Sequence, residues 1–104
     1  MPLLYARKEV FQWVKSGQKT IDVRKGQPQN GDDAVFQCGP YVLRLRIIGK
    51  EVGKLADVVR LDNYKRVIPT AESLDEAIAY FYGLYGDCEG VFTAYHVEPP
   101  RVTV

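Results

Sequence analysis

Apolar and polar positions alternate along the chain in two periods, which together predict a mostly β domain carrying two main helices. Leu3, Leu4 and Tyr5 form a short apolar run and a first strand. Arg7 to Ser16 has helical spacing, with Val10, Phe11 and Val14 in one apolar stripe that Trp13 extends or borders. Gly17 suits the left-handed position that ends a helix. Lys19 to Val23 then reads as a strand, Ile21 and Val23 facing one way and Thr20, Asp22 and Arg24 the other. The polar run from Lys25 to Asp33 is a loop in which Asn30-Gly31 favours positive φ.

Ala34 to Cys38 predicts a further strand, Gly39-Pro40 a turn, and Tyr41 to Lys50 the strongest strand of the chain. In that strand Arg44 and Arg46 share an outer face with Val42 and Ile48, and Gly49 to Gly53 continues or bulges it. Lys54 to Leu61 has the weak pattern of a short helix, and Asp62 to Arg66 reads as a polar connection. Ser73, with Glu76 three residues on, has the form of a capping box. The helix it opens carries Leu74, Ala77, Ile78 and Phe81 on one face and ends at Gly83 or Gly86. Cys88 to Glu98 supplies a last strand before Pro99-Pro100. Strand, helix, three strands, helix, strand gives an α+β class: a small, strongly twisted mixed sheet or partly closed barrel with the two main helices at its ends.

Composition narrows the function. A length of 104 residues suits a single domain over 1–104. The net charge of +1 excludes a protein that coats duplex phosphates by bulk charge, so any nucleic-acid role must rest on a local site. Cys38 and Cys88 lie far apart without metal spacing and read as reduced structural thiols, pointing to the cytoplasm; a disulfide would fit a hyperthermophilic source. His96 is the single histidine. No metal site and no cofactor are expected. No apolar run approaches the ~20 residues of a membrane span, and a monomer is the expected state.

The chemistry concentrates in Gly17-Gln18-Lys19-Thr20-Ile21-Asp22-Val23-Arg24. Asp22 and Arg24 are two apart on one strand face, and Lys19 stands at its mouth. This is either a solvated strand face with an ordinary ion pair or a small cleft, between the glycine turns at Gly17 and Gly26, able to hold phosphate, a base edge or a proton. Tyr80, Tyr82 and Tyr85 cluster at the end of the second helix. They and Trp13 are either core-edge packing residues or a stacking wall.

Gly17-x-Lys19-x-x-Asp22-x-Arg24, with the helix before it and the Gly31-Asp32 turn into a strand after it, resembles the ASCH domain family. The capped helix from Ser73 and the aromatic strand Val91–Val97 extend the likeness over most of the chain. The resemblance implies a PUA-like β-barrel whose cleft binds RNA or a modified nucleoside through Gly17, Lys19, Thr20, Asp22 and Arg24. Small bacterial ASCH members are amidohydrolases of N4-acetylcytidine, acting through a lysine, a threonine and a glutamate. Lys19 matches the lysine. Asp22 stands where those enzymes have threonine, and where many other members carry glutamate. Counting back from the second helix puts the glutamate position at Thr70, with Glu72 two residues later. An enzyme would use Lys19, Asp22 and Glu72. Three classes stay open: an RNA- or nucleoside-binding module, an amidohydrolase of an acetylated cytidine-like nucleoside, and a structural or interaction domain in which the charged trio ties helix to sheet.

Overall fold

Thirteen consecutive residues, Tyr41–Gly53, form a strand long enough to serve two neighbours in turn. In the computed structural model, which describes residues 1–101, this is β4. Its first half pairs antiparallel with β3 (Asp33–Cys38) and its second half with β5 (Phe92–Val97). The change of partner occurs at a bulge: Ile47 faces Val97 and Gly49 faces His96, leaving Ile48 extra and exposed. A bulge adds twist and bends the strand. β1 (Leu3–Tyr5) adds to β3 in parallel, and β2 (Ile21–Lys25) adds to β5 antiparallel. The order is β1-β3-β4-β5-β2.

The sheet therefore curls as a half-barrel, in keeping with the twisted sheet or partly closed barrel that the pattern predicted. β1 and β2 are its opposite edges and do not pair with each other. Four helices accompany it: α1 (Lys8–Lys15), the single turns α2 (Leu55–Val58) and α3 (Tyr64–Val67), and α4 (Leu74–Tyr85). A radius of gyration of 13.0 Å is that of a compact α+β domain of this length.

The apolar positions sort into two cores, and α1 feeds both. Phe11 and Val14 pack with Leu4, Phe36 and Leu45 between α1 and the β1–β3–β4 part of the sheet. Trp13, about 100° round the helix from Val14, enters the other core with Ile21, Val58, Val67, Phe81 and Phe92. The stripe on α1 is thus wider than Val10–Phe11–Val14, and Trp13 is a buried member of it.

Three elements and one cap differ from the sequence reading, each for a local reason. β2 begins at Ile21, not Lys19, because the amides before it bond elsewhere: Lys19 N donates to Trp13 O and Thr20 N to Arg66 O. The connection at 62–66 contains α3, a turn that buries Val67 alone and so lacks any apolar period. Buried Asn63 organises its start, accepting from Arg60 N and donating to Val58 O. β5 begins at Phe92 rather than Cys88, after Gly90 at φ 93°. The box at α4 is half formed. Ser73 Oγ accepts from Glu76 N at 3.1 Å, but the Glu76 carboxylate accepts from Glu72 N, one residue before the N-cap. Gly86 ends that helix at φ 74°.

Gly31 separates backbone strain from steric contact. Gly26 and Gly31 have φ of 116° and 125°, a region costly for any side chain. A Cβ on Gly26 meets open space, whereas one on Gly31 would stand 2.8 Å from Met1 Cα. The N-terminus cannot simply withdraw, because Pro2 is buried and its carbonyl accepts from Val35 N. Gly26→Ala should cost about 1–3 kcal/mol through the backbone. Gly31→Ala should cost distinctly more, read as a lower urea midpoint at unchanged slope. Equal losses at the two sites would refute the contact at Gly31.

Candidate ligand-binding cavity

One side of α1 from its N-cap to Trp13, the start of β2 and one side of α4 enclose a cavity of about 270 Å³. Each element brings side chains at its own period. From the helix start come Arg7, Val10 and Trp13, at i, i+3 and i+6. The edge strand β2 brings Asp22 and Arg24 from its polar face. α4 brings Tyr80 and Leu84, and Phe81 and Tyr85, each pair four residues apart on one side of the helix. The Trp13 and Tyr80 rings lie 6.4 Å apart at 52°. Tyr85 packs edge-on against Phe92 at 5.7 Å.

Of the residues singled out in the sequence, Lys19, Asp22 and Arg24 come together at this cavity. Arg24 Nε donates to Asp22 Oδ2 at 2.6 Å, while Arg24 Nη2 reaches Oδ1 only at 3.4 Å. Asp22 is 4% exposed and Arg24 29%. This is a largely desolvated pair, not the solvated strand face that was the alternative. Burial lowers the Arg24 pKa, and the charge and hydrogen bond of Asp22 outweigh it, so the guanidinium sits above its ordinary value.

Lys19 is not the exposed, cleft-reaching group its position suggested. It is 5% exposed, and its ammonium donates to Ile21 O at 2.9 Å and to Val67 O at 2.5 Å. Two of its three donors therefore tie the α1–β2 junction to the end of α3. Burial pulls its pKa down to about 8, against the opposing charge of Asp22 and with a further push from Arg24.

Gly17, Thr20 and Glu72 stand apart from the cavity lining. Gly17 takes φ 82° and ends α1, as its sequence position required. Thr20 is a backbone link, donating to Arg66 O and accepting from Val97 N. Glu72 is exposed in the loop before α4. His96 also lies elsewhere, 2.8 Å from Glu51. Cys38 and Cys88 are free thiols. Among the described residues no three His, Cys, Asp or Glu side chains gather as a metal site, and no helix is long and apolar enough to cross a membrane.

The sequence reading missed Arg7, Tyr5, Ile68 and Leu84 at the cavity. The signal for Arg7 was present: it stands three residues before Val10 and six before Trp13, on one helix face. Nothing local marks Ile68, which arrives through the α3 turn.

No family model and no curated protein matches the chain. Solved structures do. A crystal structure of the hypothetical protein PH0355 is similar with a TM-score of 0.75 at 20% identity, covering 94% of this chain and 97% of that one. The solution structure of protein PF0455 from Pyrococcus furiosus is similar with a TM-score of 0.68 at 21% identity, covering 97% and 98%. The likeness runs over nearly the whole length of each and establishes a shared fold.

Lys19 yields a pH test. In the unfolded chain its pKa returns to about 10.5, so between about pH 8 and 10.5 the unfolded state holds a proton that the folded state has released. Stability must then rise with pH across that window. The burial penalty is fully present below pH 8 and fades as pH approaches the unfolded value. Relative to Lys19→Met, the wild type should gain on the order of 3 kcal/mol across the window. Urea unfolding of both proteins at several pH values measures it, and a constant difference would show that the ammonium is not desolvated.

Proposed function

We propose that the chain is an ASCH-type domain of PUA-like architecture that binds a nucleoside, free or as an unstacked base of single-stranded RNA, in the cavity beside Asp22 and Arg24. The observation that carries the reading is the buried Asp22–Arg24 pair within an aromatic wall of Trp13, Tyr80 and Tyr85. A base edge presents adjacent donors and acceptors, and its faces stack on aromatic rings. Asp22 Oδ1, held only at 3.4 Å by Arg24, is free to accept from an exocyclic amine. The Arg24 Nη1 donors suit a ring nitrogen or carbonyl next to that amine. The sequence motif resembling ASCH domains runs from the end of α1 into this same strand, and the free thiols Cys38 and Cys88 suit the reducing cytoplasm.

A second reading rests on Lys19. A lysine held near pKa 8 beside a carboxylate can exchange a proton at neutral pH. As an amidohydrolase of an acetylated cytidine-like nucleoside, the site would let water add to the acetyl carbon, with Lys19 taking its proton and Asp22 steadying the ammonium. The C–N bond would then break as Lys19 returns that proton to the leaving nitrogen, giving acetate and the amine. Glu72, exposed before α4, contributes nothing to this step unless its loop moves.

Trp13 is the single tryptophan and borders the cavity, so its fluorescence reports occupancy. Titration with cytidine, N4-acetylcytidine, the other ribonucleosides and short single-stranded RNA should find a ligand that alters the emission. Arg24→Ala should weaken that ligand by about 1–3 kcal/mol, the size of a bidentate base contact. Unchanged affinity in Arg24→Ala would remove Arg24 from recognition. Acetate released from N4-acetylcytidine by the wild type, and lost in Lys19→Met with binding retained, would select the enzyme; binding without acetate selects the module.

A further inference from the structure

We infer that the ligand of this cavity is a phosphorylated nucleoside whose phosphate sits at the mouth on Arg7, a step that rests on the base-binding reading above. Charge balance carries the argument. Among the lining residues Arg7, Lys19 and Arg24 are cations, and Asp22 is the single carboxylate. Asp22 is committed to Arg24 at 2.6 Å. That leaves Arg7 with no carboxylate partner among the lining residues, and Lys19 with two backbone carbonyls and only the through-space charge of Asp22, in a wall otherwise of aromatic, aliphatic and phenolic groups. Glu9 is exposed in the first turn of α1 and does not line the cavity. A neutral base would leave this positive excess in place, whereas an anion at the mouth relieves it.

Two features put the anion at Arg7 rather than deeper. Arg7 is exposed, and among the described residues no carboxylate pairs with it, so its planar fork is available for phosphate oxygens. It is also the N-cap residue of α1, where no side chain caps the first turn. Ala6, Arg7 and Val10 border the cavity, so the positive end of the helix opens on the same rim. Size agrees with this placement. About 270 Å³ lies just below the ~300 Å³ at which ordinary ligand pockets begin. One base and its sugar fill that space, and a phosphate must project through the mouth. The phosphate is either the terminal group of a mononucleotide or a diester of a strand; both present the same oxygens to Arg7.

The test pairs each ribonucleoside, and N4-acetylcytidine, with its 5′-monophosphate at low ionic strength, reading Trp13 fluorescence. Dinucleotides and inorganic phosphate complete the set. At least one monophosphate should bind about tenfold or more tightly than its nucleoside, as one charge-assisted phosphate contact allows. In Arg7→Gln the ratio of the two affinities should fall toward one, a readout independent of how much protein is folded. A dinucleotide that outdoes the monophosphate marks a strand as the source, and the reverse marks a free nucleotide; either supports the inference. Equal affinity for nucleoside and monophosphate would overturn the phosphate and leave the base site standing. A ratio unchanged in Arg7→Gln would overturn the placement on Arg7. Inorganic phosphate binding as tightly as the nucleotides would remove the base from the ligand, and no binding in any pair would overturn both readings.

Discussion

One buried ammonium sets the geometry on which the rest depends. Lys19 follows the glycine that ends α1 and precedes the first residue of β2, and its Nζ donates to carbonyls of Ile21 and Val67. Backbone bonds close the same junction: Lys19 N to Trp13 O, Thr20 N to Arg66 O, and Val97 N to Thr20 O. The C-terminal end of α1, the start of the edge strand, the α3 turn and the end of β5 are thus fixed to one another within three residues of chain. A cation buried this deeply loses water contacts worth several kcal/mol, and carbonyl oxygens only partly replace them. The depressed pKa of Lys19 expresses that deficit. The carbonyls recover enough to hold the junction in a single arrangement, and that arrangement aims Trp13, Asp22 and Arg24 at one cavity.

β2 is an edge strand, bonded on one side to β5. Exposed strand edges invite pairing with other chains, yet here α3 packs on the strand and the Lys19 tie fills its approach. Covering the edge also removes Asp22 from solvent. Its carboxylate must then serve two cations: Arg24 directly, and Lys19 through space. One negative charge cannot satisfy both. The cavity lining consequently carries more cations than carboxylates even though the whole chain is nearly neutral.

Elements with strong periods were legible in the sequence: α1, α4 and β4 lie where their apolar spacing put them, and Gly17, Gly31 and Gly86 take the positive φ that their turns require. The outer face of β4, with Val42, Arg44, Arg46 and Ile48 exposed, also followed from alternation. What escaped was whatever depends on distant partners. α3 buries one apolar residue and is organised by Asn63, so no period announces it. The burial of Lys19 depends on the carbonyl of Val67, 48 residues away, and no local pattern shows that a lysine at a turn will point inward. Glu72 was joined to the trio by position in the chain alone, and the fold leaves it exposed. The Asp22–Arg24 pair was legible because both partners lie on one strand; the aromatic wall facing it was legible only as a cluster of tyrosines without a direction.

The structural tie and the cavity make separate demands on the same charged stretch. A tie between helix and strand accounts for Lys19, whose hydrogen bonds run to backbone. It does not account for Asp22 and Arg24. That pair reaches no other element through side-chain bonds, and Arg24 remains partly open to the cavity. Surface ion pairs look different in this protein: Arg44–Asp33 and Arg60–Glu51 are well exposed and contribute little at modest desolvation. Asp22–Arg24 carries the desolvation of a buried pair, for which apolar residues of similar volume would often be at least as stable. Packing therefore gives no reason for a carboxylate and a guanidinium at these two positions. The proposed nucleoside ligand, with complementary donors and acceptors, would supply such a reason, and the aromatic wall across the cavity is a surface on which its ring would lie.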